Sequence, residues 1–129
     1  MTNHAVSSAQ APKALGPYSQ GVASGDFLFC SGQIGLDPAT GQLVEGIEAQ
    51  TERVLHNLEA VLEAGGMTFA DVVKTTILLA NMADYATVNE IYGKTVSDPA
   101  PARSTFAALG LPRGALIEIE VIARRRAAS

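Results

Sequence analysis

Residues 101–123, PARSTFAALGLPRGALIEIEVIA, carry the pattern that decides the fold. The segment is typical of two strands joined by a turn into a hairpin, because glycine and proline residues at positions 110, 112 and 114 interrupt it. Side chains alternate along a strand, so Glu118 and Glu120 share one face of the second strand, roughly 7 Å apart. In the first strand Arg103 and Thr105 share a face. The hairpin is therefore predicted to bring a guanidinium, a hydroxyl and a carboxylate into one region.

The remaining pattern predicts a mixed sheet and two helices. Strands are expected at residues 5–7, 18–23, 27–31 and 72–80, and helices at 46–64 and 84–96. This order, β-β-α-β-α-β with an optional strand in front, predicts a two-layer α+β domain over residues 1–129 with both helices on one sheet face. The other face is predicted to carry Arg103, Thr105, Glu118 and Glu120. Because unpaired buried charge costs several kcal/mol, these groups are expected to pair with each other, with a ligand or with another chain.

Composition narrows the class of protein. The chain has 129 residues, a net charge of −4 and 47% hydrophobic residues. The negative charge argues against a nucleic-acid binder, and the apolar content of so small a domain predicts self-association. The single Cys30 excludes an internal disulfide and is expected to be a small core residue. No apolar run reaches the ~18 residues of a membrane span, and no secretory signal is recognisable, so a soluble cytoplasmic protein is expected.

Four segments in order carry a family resemblance. They are APKALGPYSQGV at 11–22, FLFCSGQIGLDPATGQL at 27–43, DVVKTTILLANMADYATVNEIY at 71–92 and PARSTF…IEIEVIA at 101–123. Together they span roughly residues 5–125 and resemble the RidA (YjgF) family of reactive-intermediate deaminases. The resemblance implies a chorismate-mutase-like fold. It also implies a homotrimer whose sheets surround a central barrel, with clefts between subunits.

The resemblance also assigns two catalytic candidates. Arg103 matches the family residue that anchors the substrate carboxylate, a role that suits the planar fork of N–H donors on a guanidinium. Glu118 matches the residue that orients or activates water, since a carboxylate can accept a proton from attacking water. Both residues have structural alternatives. Arg103 could form an intersubunit salt bridge, and Glu118 could be a buried partner for an arginine or for backbone amides.

Five further positions match substrate-binding residues of the family: Tyr18, Ser31, Gly32, Asn89 and Thr105. Each also has an ordinary reading, as a strand aromatic, a strand end, a helix-surface amide or a strand hydroxyl. Thr105 departs from the family pattern, because some members carry a cysteine there. A hydroxyl is a poor nucleophile, so a thiol cannot be essential to any activity here.

The resemblance implies hydrolytic deamination of 2-imino or enamine acids, such as 2-iminobutanoate and 2-iminopropanoate, to 2-keto acids and ammonia. No metal or organic cofactor is expected, and the expected partners are a small carboxylate and further copies of the chain, not nucleic acid or membrane. Two alternatives remain at this point. One is a non-enzymatic trimer that senses 2-keto acids in the same cleft, and the other is an RNA-cleaving translation inhibitor.

Overall fold

In the computed structural model, which describes residues 2–126, six strands form one mixed sheet and two helices pack on one of its faces. The strands are β1 (His4–Val6), β2 (Gly21–Ser24), β3 (Phe27–Gln33), β4 (Val72–Leu79), β5 (Ala102–Ala107) and β6 (Ile117–Arg124). The helices are α1 (Ile47–Ala64) and α2 (Tyr85–Gly93). The predicted two-layer α+β fold is confirmed. The chain order is β-β-β-α-β-α-β-β, in which the optional first strand forms and both strands predicted in residues 101–123 follow α2.

The predicted hairpin in residues 101–123 is wrong. The sheet order is β1-β2-β3-β6-β4-β5, so β4 lies between the two strands of that segment. β4 pairs with β5 in parallel and with β6 antiparallel. The continuous apolar and β-branched run of β4 favours a central position with a neighbour on each side. The turn at 110–114 therefore connects two strands that are not neighbours, and β5 becomes the edge of the sheet.

A single core lies between the sheet and the helices. Alternate residues of β6 contribute to it, since Ile117, Ile119, Val121 and Ala123 are all at most 2% exposed. α1 adds the apolar stripe predicted from its helical spacing, with Val54, Leu58, Val61 and Leu62 fully buried. The two residues Gly65 and Gly66 follow the helix, and Gly66 has the positive φ of 76° that ends helices. Cys30 is buried, and burial raises the pKa of its thiol to about 12, as expected for a core cysteine.

The pairing of β4 also corrects the predicted open face. Arg103 is paired with the buried Thr75, and Thr105 with the buried Ile77. Residues paired across neighbouring strands point to the same side of a sheet, so Arg103 and Thr105 lie on the helix side. Glu118 and Glu120 are paired with Leu78 and Thr76, which point away from the helices. The guanidinium and the two carboxylates are therefore on opposite faces of the sheet and do not share one.

A buried amide ties α1 to the loop that follows β3. The Nδ2 of Asn57 donates to the carbonyl oxygens of Ile34 at 3.2 Å and Leu36 at 3.0 Å, and its Oδ1 accepts from Nε of Arg53 at 3.0 Å. Asn57 is fully buried. These bonds satisfy carbonyl groups outside the strands, and they hold in place a loop whose Ile34 and Leu36 line the cavity described in the next section.

We expect Asn57→Leu to lower the free energy of unfolding by about 3 kcal/mol, because the Leu36 carbonyl and the Arg53 guanidinium lose their side-chain partner and the Ile34 carbonyl keeps only its bond from the Leu36 amide. Urea denaturation measures this. Glu59→Leu on the exposed side of the same helix is the control, with an expected change within about 0.5 kcal/mol. Equal stability of the two variants would show that the amide does not hold the loop.

Candidate active site

A cavity of about 610 Å³ opens on the face of the sheet that the helices leave uncovered. We call it the acid cavity. Its wall includes five residues of interest, Tyr18, Ser31, Gly32, Glu118 and Glu120, together with the cations Lys13 and Arg113. Four of these, Tyr18, Ser31, Gly32 and Glu118, are sequence-predicted site residues. The structure therefore brings one half of the predicted site together, in a space large enough for a small acid.

A β-bulge shapes the floor of the acid cavity. Cys30 is paired with Val121 and Gln33 with Ile119, so two residues of β3, Ser31 and Gly32, stand opposite one residue of β6. Bulges of this kind redirect backbone groups and are common beside active sites. The Ser31 hydroxyl donates to the carbonyl of Ser19 at 2.6 Å, which fixes the bulge against the segment before β2.

Glycine at position 32 makes room for the Glu118 carboxylate. A Cβ atom built on Gly32 would overlap Oε2 of Glu118 and lie 2.8 Å from its Cδ, far inside normal contact distance. Any side chain at position 32 would therefore force the carboxylate to move. The bulge and the glycine act together as a seat for this acid group.

The environment of Glu118 favours its neutral form. Partial burial raises the pKa of the Glu118 carboxyl, and the negative charge of Glu120 raises it further. Glu120 itself is exposed. A carboxylate with a raised pKa is a stronger base once it is ionised, which is the property that a proton acceptor in catalysis needs.

The segment before β2 folds over the acid cavity around one buried side chain. The Gln20 Oε1 accepts from the Ser8 amide at 2.6 Å, and its Nε2 donates to the carbonyl oxygens of Ser8 at 3.2 Å and Pro12 at 2.8 Å. Tyr18 stands at the rim, 51% exposed, and its hydroxyl accepts from the Leu15 amide at 3.2 Å. Gln20 thus positions the strip of chain that carries Tyr18.

The second half of the predicted site lies on the helix side, at β5. The Nη2 of Arg103 donates to the Tyr85 hydroxyl at 2.9 Å. The Cζ of Arg103 lies 5.6 Å from the centre of the Tyr85 ring and 5.2 Å from that of Tyr92. The Tyr92 hydroxyl is in turn 2.8 Å from Oγ1 of the buried Thr75. We call Arg103, Tyr85 and Tyr92 the arginine cluster.

The guanidinium charge of Arg103 is not neutralised by the protein. Across residues 2–126, no carboxylate oxygen lies within 4.0 Å of its nitrogens, and the salt bridge present there joins Arg126 to Asp71. Within the described residues Arg103 therefore has no ion pair to Glu118 or Glu120, and the predicted alternative, a salt bridge between subunits, stays a prediction. Beside Arg103 on the same strand face, the Thr105 hydroxyl is buried without a hydrogen-bond partner among the described residues. Such a group is available to a ligand.

Asn89 lies one helical turn after Tyr85 on α2. Hydrogen bonding from the Asn89 amide and the positive charge of Arg103 lower the pKa of the Tyr85 phenol. Asn89 thus belongs with the arginine cluster and not with the acid cavity. The predicted residues therefore form two groups, with Arg103, Thr105 and Asn89 apart from Tyr18, Ser31, Gly32 and Glu118.

Sequence reasoning missed three contributors, Tyr85, Tyr92 and Gln20. The two tyrosines lie in the helix predicted at residues 84–96, and neither was assigned to the site. Their spacing of seven residues, which places both on one helix face, was the available signal for a pair beside one cation. No pattern in the sequence marked Gln20, because its four bonds go to backbone groups.

Residues 2–126 contain neither a metal cluster nor a membrane-crossing helix. No group of three or more His, Cys, Asp or Glu side chains in this part of the chain is arranged to hold a metal ion. Over the same range, no helix has both the length and the hydropathy that a bilayer crossing requires.

We expect Gly32→Ala to lower kcat/KM for the imine hydrolysis that the family resemblance implies. The expected loss is about tenfold, because the new methyl group displaces the Glu118 carboxylate from its position. The fold should persist, since the displaced atoms are the free end of a flexible side chain. Gly93→Ala is the matched control, because a Cβ atom there meets nothing within 4 Å. Steady-state kinetics and thermal melts measure both variants, and undiminished kcat/KM in Gly32→Ala would refute this role for the glycine.

Comparison with known proteins agrees with the fold and the motifs. Residues 8–125 match the family model described as Endoribonuclease L-PSP. The chain is 53% identical over 119 residues to Reactive Intermediate Deaminase A, chloroplastic, from Arabidopsis thaliana, covering 92% of this chain and 64% of that protein. It is 48% identical over 119 residues to the 2-iminobutanoate/2-iminopropanoate deaminase of Mus musculus, covering 92% of this chain and 88% of that one.

Among solved structures, the chain superposes on E. coli TdcF with bound serine with a TM-score of 0.91. The two are 34% identical, and the match covers 95% of this chain and 99% of TdcF. The family match spans nearly all of the described residues, and the relatives share both the sequence and the fold. The chain belongs to the RidA (YjgF) family, whose model carries the description Endoribonuclease L-PSP.

Proposed function

We propose that this protein is a hydrolytic deaminase. It converts 2-iminobutanoate, 2-iminopropanoate and their enamine forms to 2-keto acids and ammonia. The observation that carries the proposal is the Arg103 guanidinium, which is held in place and has no acid partner in residues 2–126. The mouse relative is named for this reaction, and TdcF was solved with a small amino acid bound. Both names support a small carboxylate as the ligand.

The proposed active site is completed by a second copy of the chain. Arg103 and Glu118 lie on opposite faces of one sheet, so a ligand on one subunit cannot reach both from one side. The uncovered face also exposes large apolar side chains, including Phe29 at 45% and Phe106 at 49%. Exposed apolar area on this scale favours association. A homotrimer around a central barrel would cover this face and set the acid cavity of one subunit against the arginine cluster of the next.

Arg103 would bind the substrate carboxylate. A guanidinium carries five N–H donors, and the Tyr85 hydroxyl occupies one of them. The remaining donors can hold a carboxylate through two parallel bonds, a geometry that lysine cannot reproduce. The unpartnered Thr105 hydroxyl stands beside this position. Fixing the carboxylate would place the C=N carbon over the opposing Glu118.

Glu118 would act as the proton acceptor. Water adds to the electrophilic carbon of the protonated (iminium) C=N group while one water proton passes to the Glu118 carboxylate, which gives a carbinolamine. The protonated Glu118 then returns that proton to the nitrogen. The C–N bond breaks and the C=O bond forms as the carbinolamine hydroxyl gives its proton back to Glu118, and the released ammonia takes this proton and leaves as ammonium. The sequence of steps consumes one water and needs no redox or metal chemistry from the protein. Because an imine carbon is already reactive, positioning and one acid–base group are sufficient.

The family description includes the word endoribonuclease, and RNA cleavage is the competing function. The net charge of −4 disfavours a phosphate backbone as ligand. A cytoplasmic location is part of the proposal, since imines arise where pyridoxal-phosphate enzymes work.

We expect Arg103→Ala to lower kcat/KM on 2-iminobutanoate by about 100-fold or more, because a charge-assisted bidentate contact is lost. A dehydratase that generates the imine in the cuvette, with ammonia release followed over time, measures this. Lys94→Ala is the control, since it removes an exposed cation just after α2. Wild-type turnover by Arg103→Ala in a folded protein would reject the assignment.

The raised pKa of Glu118 predicts a pH dependence. Only the ionised carboxylate accepts a proton, so kcat should fall as the pH drops through this raised pKa. Glu118→Gln should remove that limb of the profile and lower kcat by about 100-fold.

The raised pKa of Glu118 also predicts an effect on stability. A carboxyl with a raised folded-state pKa binds its proton more tightly when folded, so its ionisation destabilises the fold as pH rises. Glu118→Gln should therefore be at least as stable as wild type at neutral pH. A persistent acidic limb or a large loss of stability would contradict this.

A further inference from the structure

The arginine cluster contains a group for which the proposed chemistry has no role. Tyr85 is the first residue of α2, and it is 38% exposed. An Asn81 side chain that accepts from the Ala83 amide at 2.8 Å caps the short turn before it, which fixes where α2 starts. A phenylalanine would pack equally well at such a half-exposed position. Packing therefore does not explain why this residue carries a hydroxyl group.

The Tyr85 hydroxyl has a specific partner. It accepts from Nη2 of Arg103 at 2.9 Å, while the rings of Tyr85 and Tyr92 both lie within 6 Å of the guanidinium carbon. The rings favour a cation near their faces but leave it free to turn. One directed hydrogen bond removes that freedom. An arginine side chain without such a bond loses rotamer entropy when a ligand immobilises it.

We propose that the Tyr85 hydroxyl is a positioning residue, which holds one nitrogen of the Arg103 guanidinium so that the other N–H groups face the substrate carboxylate. This inference rests on the proposed function of Arg103 as the carboxylate anchor. Tyr85 does not touch the substrate. It lowers the cost of ordering the guanidinium when a carboxylate binds, which is the general effect of preorganisation.

The surroundings of the phenol agree with this role. The pKa of the Tyr85 phenol is lowered by Asn89 and by the positive charge of Arg103, which agrees with an oxygen that faces hydrogen-bond donors. The Tyr92 hydroxyl is committed elsewhere, to Thr75 in β4 at 2.8 Å. The two tyrosines thus have separate roles. Tyr92 is anchored to the core and supplies a fixed aromatic face, and Tyr85 supplies the directed bond.

The inference is tested by a double-mutant cycle of Tyr85→Phe and Arg103→Lys, which keeps both rings and the positive charge. Titration of the protein with 2-oxobutanoate, the 2-keto acid that 2-iminobutanoate yields, gives the Kd for the carboxylate ligand. Turnover of 2-iminobutanoate gives KM and kcat. Tyr85→Phe should raise Kd and KM about fivefold with little change in kcat or melting temperature, since one exposed charge-assisted bond is removed. In the Arg103→Lys background it should change kcat/KM no further, because the hydroxyl acts through the guanidinium. The neutral 2-oxobutanamide should bind weakly and equally to wild type and Tyr85→Phe.

Three results would overturn the inference: an unchanged Kd in Tyr85→Phe, an equal loss in the Arg103→Lys background, or an equal effect on the amide ligand. These differ from failure of the proposed function. If wild type binds 2-oxobutanoate but releases no ammonia, deamination is rejected and the Kd comparison still decides the role of Tyr85. If wild type binds no 2-oxo acid at all, both proposals fall.

Discussion

The alternation of side chains along β4 is the constraint on which the site depends. Thr75 and Ile77 point toward the helices, and their neighbours on β5, Arg103 and Thr105, must do the same. The alternate residues Thr76 and Leu78 point away from the helices, and so do the residues paired with them on β6, Glu120 and Glu118. A shift of one residue in either pairing would reverse this arrangement and bury the wrong groups. The separation of the cation from the acids is therefore a property of the whole fold.

Each half of the site is prepared separately. On the helix side, two aromatic rings and one hydroxyl hold a guanidinium that has no acid partner in the described part of the chain. On the other side, a bulge and a glycine hold a carboxylate whose burial keeps its affinity for protons high. Ionisation of Glu118 therefore costs free energy in the folded subunit. In the proposed assembly the reacting water would offset this cost and the ligand carboxylate would pair with Arg103, which is how binding and catalysis would be coupled to subunit contact.

Sequence reasoning was most successful where a signal is local. The helical spacing of Val54, Leu58 and Val61 and the alternation of Ile117, Ile119 and Val121 report only on neighbouring residues, and both were predicted correctly. The pairing of β5 with β4 depends on which strand a distant segment meets, and proximity along the chain favoured the hairpin instead. The family motifs identified Arg103 and Glu118 but carry no information on which sheet face each occupies. A role for the Tyr85 hydroxyl could not be predicted from the sequence, because it depends on the Arg103 guanidinium that the fold places beside it.

The central claim is that a working cleft takes Arg103 from one copy of the chain and Glu118 from another. Mixing the inactive variants Arg103→Ala and Glu118→Gln, by unfolding and reassembling them together in equal amounts, tests this most directly. If neighbours share the cleft, about one quarter of the clefts in the mixed assemblies regain both groups, and a matching fraction of wild-type turnover returns. If turnover of the mixture stays at the sum of the two separate variants, each cleft is built within one subunit and the account is contradicted.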